Sequence, residues 1–206
     1  MSRIIFKNII LNYMLVDFSE ICSEDPQQNV QRKEPEAISV SGSLADLYSE
    51  TGLITKHMGL IVPGKDIHFW SFGNFNMMRL VFWVIDQTGP ADVIMSTYSI
   101  SPKTLQGVIN RKEKGLIRNI RFLIDNRVRS LSPKPFDMLV RNFDYRCISI
   151  HAKVACIYND KWKITIVSSQ NATDNPKMER GTIFTGNDIF EFDKSVLEDG
   201  FKRGTT

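Results

Sequence analysis

The feature that most constrains this chain is a regular alternation of strand-like and helix-like segments from about residue 66 onwards. Residues 92–98 (DVIMSTY) have an almost continuously apolar start, as strands do when both faces of their sheet are covered, and residues 119–124 (NIRFLI) form another predicted strand. Helical patterns occupy residues 75–87, the segment after Ser101-Pro102, and residues 190–201. The alternation predicts an α/β fold in which a mixed β-sheet is flanked by helices on both faces.

The first 60 residues do not follow this alternation. Residues 23–36 (SEDPQQNVQRKEPE) are polar, contain two prolines and are typical of a loop or linker. Ser43 then opens a helical pattern with a capping-box-like start. We predict an N-terminal adaptor or oligomerisation segment at 1–60 and a single α/β domain at 61–206.

Composition excludes several classes of protein. The chain has three cysteines without CxxC spacing, which argues against a disulfide framework and against a zinc site. Its longest apolar-looking run near the start, residues 4–16, is interrupted by Lys7, Asn8 and Asn12 and is shorter than the ~20 residues of a membrane span. These features predict a cytoplasmic protein without a membrane partner, and the net charge of +3 permits a nucleic-acid partner.

A histidine and a lysine stand two residues apart in residues 146–158, which we predict to be one strand. Side chains of a strand alternate between faces, so His151 and Lys153 would share one face, roughly 7 Å apart, opposite an apolar face. Two groups that can both carry positive charge favour an anionic partner. In isolation the H-x-K pattern is common, and a satisfied histidine beside a solvent-facing lysine is the usual outcome.

A cluster of small polar residues follows the next predicted strand, residues 163–168. Asn159-Asp160-Lys161 is good hairpin-turn chemistry, so this strand would run antiparallel and return Asn171 to the neighbourhood of Lys153. Ser168 and Ser169 would then supply hydroxyl donors to a phosphate. Glu179 would fix the tautomer of the histidine. In isolation, SSQN is simply a polar turn and Glu179 a surface charge.

Taken together, HAK at 151–153, SSQN at 168–171 and ERG at 179–181 resemble the signature of the phospholipase D superfamily. The resemblance covers residues 61–186. Tyr158 stands where that family usually has aspartate, and the spacing from histidine to asparagine resembles the HKN variant of tyrosyl-DNA phosphodiesterases. The chain carries one motif, as do the small homodimeric endonucleases of the superfamily.

The resemblance implies a metal-independent phosphodiesterase, foremost a nuclease, that acts through a phosphohistidine in an active site shared by a homodimer. Nucleic acid, with DNA first, would be the substrate, and no cofactor or metal is implied. Basic residues between 111 and 141 fit that substrate, although they fit solvated faces as well. Two alternatives stay open: a catalytically impaired module that binds nucleic acid or a partner, and a phospholipase. The implied catalytic residues are His151, Lys153, Asn171 and Glu179, and the implied phosphate-binding residues are Ser168 and Ser169.

Overall fold

The computed structural model describes residues 36–39 and 52–206. In these two ranges, eight strands form a single sheet and six α-helices accompany it. The strands are β1 (Glu36–Ser39), β2 (Ile67–Phe72), β3 (Ala91–Thr97), β4 (Ile117–Asp125), β5 (Asp144–Ile148), β6 (Val154–Tyr158), β7 (Lys163–Ser168) and β8 (Met178–Phe184). The helices are α1 (Gly52–Met58), α2 (Met77–Thr88), α3 (Pro102–Glu113), α4 (Val128–Leu131), α5 (Pro133–Asn142) and α6 (Asn187–Arg203).

The sheet is mixed, with strand order β1-β2-β8-β7-β6-β3-β4-β5. The β3–β4 and β4–β5 pairs are parallel, and the remaining pairs are antiparallel. The α3 helix connects β3 to β4 and helices α4 and α5 connect β4 to β5, as parallel neighbours require a crossover. The hairpin of β6 and β7 is antiparallel, with Tyr158 opposite Lys163, so the predicted pairing of these strands is confirmed.

Two apolar layers cover the two faces of the sheet. Ile94, Leu123 and Cys156 point to the face covered by α6, where they pack with Phe190 and Leu197. The other face carries the larger core, which includes buried side chains of α1, α2, α3 and α5. Each fully buried large apolar side chain stabilises the fold by about 1.5–3 kcal/mol. The predicted α/β sheet with helices on both faces is confirmed.

The α2 helix shows how local sequence defines these layers. Asn76 ends the preceding loop, and its side-chain oxygen accepts a hydrogen bond from the Arg79 N–H at 3.0 Å, which caps the helix. Gly89 ends the helix with φ 84°, a conformation that favours glycine. Within α2, Trp83 is buried and donates to Thr55 Oγ1 at 3.0 Å, which ties α1 to the core.

Two elements from the first 60 residues are described. The backbone of β1 pairs with β2, and Ile54 and Met58 of α1 are buried in the larger core. The helix predicted from Ser43 falls mostly outside the described residues. The adaptor or oligomerisation role of residues 1–60 and the boundary at residue 60 stay predictions.

The single strand predicted over residues 146–158 is wrong. The β5 strand ends at Ile148 and β6 begins at Val154, and these strands are separated in the sheet by β4 and β3. Residues 149–153 therefore cross the ends of two strands. The break between the two strands cannot be seen in the sequence. Ile148 and Ile150 both pack against the apolar cluster formed with Phe190 and Leu197 of α6, so every second residue stays apolar through the connection.

Candidate active site

The predicted site residues gather at one edge of the sheet. Strands β2, β3, β4, β5 and β7 end at this edge, and β6 and β8 begin there. In open α/β sheets, ligands bind outside the carboxyl ends of the parallel strands, where the topology changes. The crossing connection at 149–153 and the loop at 169–177 both lie at this edge.

His151 and Lys153 are in direct contact. Lys153 Nζ donates to the main-chain oxygen of His151 at 2.8 Å and lies 3.2 Å from Nδ1 and 3.3 Å from Nε2 of the ring. The histidine is exposed, whereas the lysine is only 7% exposed. The crossing connection, rather than strand alternation, brings these two residues together.

Burial determines the electrostatics of Lys153. Desolvation lowers the pKa of its ammonium group, and the negative charge of Glu179 partly opposes that shift by raising it. A buried cation is costly unless an anionic or hydrogen-bonding partner compensates it. The end of the lysine is thus an attractive position for the oxygens of an anionic ligand next to the histidine ring.

Asn171 reaches the same edge through the hairpin. The Ser168 N–H donates to the Lys153 main-chain oxygen at 3.0 Å, so the end of β7 lies directly beside the lysine. Asn171 Oδ1 accepts from the Tyr98 N–H at 3.2 Å, and its main-chain oxygen accepts from the Met77 N–H at 3.1 Å. Because Oδ1 is already engaged, Nδ2 is the part of this amide that is left to donate to a ligand.

The two serines differ in accessibility. Ser168 is buried, and its hydroxyl lies 3.2 Å from the Arg180 main-chain oxygen and 3.1 Å from the Gln170 N–H, which donates to it. Ser169 is exposed, accepts from the Arg180 N–H at 3.0 Å and donates a short hydrogen bond to the Glu179 carboxylate. Ser169 is therefore the more accessible hydroxyl for a phosphate.

Glu179 stands at the start of β8. Its carboxylate accepts from Ser169 Oγ and from Asn175 Nδ2, the latter at 2.8 Å. These contacts fix the carboxylate within the 169–177 loop, and its charge acts on Lys153. Its role in orienting His151 stays a prediction.

Two residues of the site, Tyr98 and Asp125, were not predicted as site residues, and Arg127 was predicted only as one of the basic residues between 111 and 141. The Tyr98 ring centroid lies 5.2 Å from that of His151, and the Arg127 guanidinium carbon lies 4.8 Å from the centre of the tyrosine ring. Asp125, only 2% exposed, accepts from Arg127 Nε at 2.8 Å and from the Ile150 N–H at 3.2 Å. Their place in the sequence was the one indication of a role in the site, because Tyr98 and residues 125–127 stand at the carboxyl ends of two predicted strands.

The hydrogen bonds of Asp125 also govern its charge. The Arg127 side chain is the largest influence and holds the pKa of the Asp125 carboxyl below its ordinary value of 3.8, against the effect of burial. A carboxylate that is ionised at neutral pH thus anchors the connection that carries His151.

The 169–177 loop is anchored through neutral groups. Gln170 is 2% exposed, and its Nε2 donates to Ser71 Oγ at 2.6 Å and to the Phe75 main-chain oxygen at 2.8 Å. The Ala172 N–H donates to the Ser99 main-chain oxygen and to Thr97 Oγ1, both at 3.1 Å. The loop that carries Asn171 is therefore fixed to the ends of β2 and β3.

Tyr158, which stands where the resembled family usually has aspartate, lies at the opposite end of β6 from the site. Its ring packs edge-to-face on Phe190, with centroids 5.6 Å apart. The neighbouring Asp160 lies in the β6–β7 turn. Neither residue contributes to the edge that holds His151.

Two properties of the described ranges bear on metal ions and membranes. Residues 36–39 and 52–206 contain no group of three or more His, Cys, Asp or Glu side chains placed to hold a metal ion. No helix among α1–α6 combines the length and apolar character that crossing a membrane requires.

No protein-family model matches this chain, and no curated protein matches it in sequence.

Solved structures do resemble it. Nuc from Salmonella typhimurium, a phospholipase D family member, matches with 19% identity and a TM-score of 0.49, covering 61% of this chain and 86% of Nuc. NucT from Helicobacter pylori matches with 14% identity and a TM-score of 0.47, over 55% and 80% of the two chains. Phosphatidylserine synthase from Haemophilus influenzae matches with 13% identity and a TM-score of 0.47, over 71% of this chain and 41% of the synthase. Likenesses this distant carry no information on activity.

Proposed function

We propose that this protein is a metal-independent phosphodiesterase, foremost a nuclease, that works through a covalent phosphohistidine. The observation that carries the proposal is the contact between an exposed histidine ring and a buried lysine ammonium at the carboxyl edge of the sheet. A nucleophile next to a desolvated cation suits attack on phosphorus, because the cation stabilises charge that develops on the phosphate oxygens.

In the proposed reaction, a ring nitrogen of His151 attacks phosphorus and the bond from phosphorus to the leaving oxygen breaks. A second histidine donates the proton that the leaving oxygen needs. That histidine then removes a proton from water, whose oxygen attacks phosphorus and releases His151. Lys153 and the Nδ2 group of Asn171 stabilise the non-bridging oxygens through both steps.

The second histidine has to come from another copy of the chain. His57 and His68 lack the H-x-K spacing, and His68 hydrogen-bonds Thr182 in the β2–β8 pair. A two-fold dimer would bring two copies of the same edge face to face, since such an interface is self-complementary. The proposal therefore includes a homodimer in which each chain supplies one half of the reaction.

The surroundings of the site favour nucleic acid over phospholipid. Tyr98 offers a ring next to His151, and Arg127 holds a largely exposed cation over that ring. Aromatic rings stack with bases, and arginine binds phosphate through a planar fork of donors. Both groups are suited to a nucleotide on either side of the reacting phosphodiester.

The test is hydrolysis of plasmid DNA and of bis-p-nitrophenyl phosphate in the presence of EDTA. Wild-type protein should cleave both, and His151→Ala should lose activity by at least roughly 10⁴-fold, since it removes nucleophile and acid together. His68→Ala is the matched control, because it removes a histidine from β2 that hydrogen-bonds Thr182, and it should retain activity.

Three further results decide between the alternatives. Acid-labile phosphate trapped on wild-type protein but not on His151→Ala, together with a dimeric mass in solution, would support the mechanism. Binding of DNA without turnover of either substrate would contradict the proposal and favour the impaired module. Turnover of phospholipid vesicles in preference to plasmid would favour the phospholipase.

A further inference from the structure

A groove of about 370 Å³ lies between α2 and α3, next to the site but separate from it. Its walls carry three basic side chains, Arg79, Lys103 and Arg111, against one carboxylate, Asp174. The groove thus has an excess of two positive charges (three minus one). An adjoining pocket, lined partly by Gly73 and Asn74, shares Arg79, Lys103 and Asp174 and extends the groove toward the β2–α2 turn.

The basic side chains of the groove are weakly committed to protein partners. Lys103 lies 4.0 Å from Asp174, and the lysine side chain is 78% exposed, so this ion pair is weak. Arg79 Nη1 reaches the Asn74 main-chain oxygen only at 3.5 Å. Both cations are therefore available to a ligand.

Arg111 is held in place by an aromatic ring rather than by an acid. Its guanidinium carbon lies 3.7 Å from the centre of the Phe82 ring, and its Nε atom is buried without a hydrogen-bond partner. A cation over an aromatic face keeps its charge and its outer donors. Unpartnered buried donors are rare in folded proteins, and this one lies in a cationic groove.

The spacing of the cations suits a chain of phosphates. Lys103 and Arg111 are eight residues apart on α3, which corresponds to about 12 Å along the helix. A nucleic-acid strand carries one phosphate per nucleotide, so a cationic surface of this length can contact successive phosphates of one strand. A single small anion would use only one end of the groove.

The groove is joined to the site by one short loop. Asn171 holds the start of α2 through its main-chain oxygen, and three residues later Asp174 Oδ1 accepts from Asn76 Nδ2 at 2.8 Å. The end of the groove at Asn76 and Asp174 therefore lies beside the loop that carries Asn171.

Two basic residues elsewhere on the sheet, outside the groove, are already neutralised. Arg118 pairs with Asp92 at 2.7 Å, and Arg121 pairs with Glu198. A neighbouring pocket of about 300 Å³, at the far end of α3, contains Lys112 and Glu113 and is charge-balanced. The excess of positive charge is a property of the α2–α3 groove.

We propose that the α2–α3 groove binds the backbone phosphates of the nucleic-acid strand whose phosphodiester lies at His151 and Lys153. This inference deepens the proposed function and rests on it for the identity of the ligand. Lys103 and Arg111 contact phosphates at the two ends of the groove, and Arg79 contacts the segment between them.

The test measures binding and turnover separately. Binding of a fluorescein-labelled single-stranded 20-mer is followed by anisotropy at several salt concentrations, with His151→Ala in every protein so that the probe stays intact. The double variant Lys103→Ala/Arg111→Met removes two cations but leaves an apolar stem over Phe82. Each lost phosphate contact should reduce the slope of log K against log salt by about 0.7, or about 1.4 for the pair.

The matched control is Lys161→Ala/Lys202→Met, which removes two exposed cations from the β6–β7 turn and from α6. This control should retain the slope of the parent protein. With His151 restored, the groove variant should hydrolyse bis-p-nitrophenyl phosphate at the wild-type rate, because that substrate does not extend into the groove.

An unchanged slope in the groove variant, an equal change in the control, or a parallel loss of bis-p-nitrophenyl phosphate hydrolysis would each overturn the inference. The proposed function fails differently. If no phosphodiester is hydrolysed by the wild-type protein while the groove variant still loses its salt slope, the catalytic proposal is wrong and the groove remains a nucleic-acid site.

Discussion

The two loops that meet at the site are held in opposite ways. The crossing connection at 149–153 depends on charge: the Asp125 carboxylate accepts the Ile150 N–H, and the Lys153 ammonium donates to the His151 main-chain oxygen. The buried anchors of the 169–177 loop are neutral and are led by the Gln170 amide, whereas the two carboxylates that contact this loop, Asp174 and Glu179, are not buried. The crossing connection carries His151 and Lys153, and the 169–177 loop holds Asn171 close to them.

This difference has an energetic meaning. Hydrogen bonds to charged groups contribute about 1.5–3 kcal/mol, whereas neutral ones contribute about 1 kcal/mol each. The crossing connection therefore concentrates its stability in a few contacts that respond to pH. The buried anchors of the 169–177 loop spread their contribution to stability over neutral groups that do not titrate.

After His151→Ala, the largest effect is expected from Lys153→Met. Loss of a preorganised cation that faces the reacting phosphate should lower kcat by about 10²–10³-fold. The thermal midpoint should change little, because loss of the hydrogen bond to the His151 main-chain oxygen is offset by removal of the cost of a buried charge. Paired measurements of kcat and Tm test this, and a variant that loses stability in step with activity would show that the hydrogen bond outweighs the cost of burying the charge.

Asp125→Asn should have the next largest effect. It weakens the anchor of the crossing connection and should destabilise the protein by about 2–3 kcal/mol at pH 7. Because the pKa of Asp125 is lowered in the folded protein, its stabilisation is fully present above the ordinary pKa of 3.8 and is lost as pH falls through the folded value. Denaturant unfolding from pH 7 down to pH 3 should show the two proteins converging at the acid end.

The smallest effect is expected from Gln170→Leu in the 169–177 loop. It leaves the partners Ser71 Oγ and the Phe75 main-chain oxygen without their donor, at a cost of about 1–2 kcal/mol. Unlike the Asp125 variant, it should differ from wild type by the same amount at pH 7 and pH 3. A stability loss that varies with pH between these values would break the contrast between the two loops.

The sequence predicts regular elements well where burial and caps agree. The helix predicted at 75–87 matches α2 closely, because its apolar residues are buried and Gly89 ends it. Ser101 caps α3, with Pro102 in its first turn, as expected. The β6–β7 hairpin follows from Asn159, whose Oδ1 accepts the Lys161 and Trp162 N–H groups at 3.0 and 2.9 Å.

The rest of the site was hidden for a physical reason. An apolar period records which side chains are buried, and it carries no information on which strands are neighbours. Ile150 is packed like a strand residue but belongs to the crossing connection, so the apolar pattern of the sequence does not show the break between β5 and β6. The contacts of Tyr98 and Arg127 with the site likewise depend on strand order, as does the pairing of groove cations across α2 and α3.

The crossing connection also sets a length rule for the chain. Three interstrand gaps separate β5 from β6, or ~14 Å at the usual spacing, and six residue steps from Ile148 to Val154 can extend to only about 20 Å. Deleting two residues would consume this slack, and inserting residues would let the histidine drift away from the lysine. Among related chains, the number of residues in this connection should therefore vary less than the side chains that fill it.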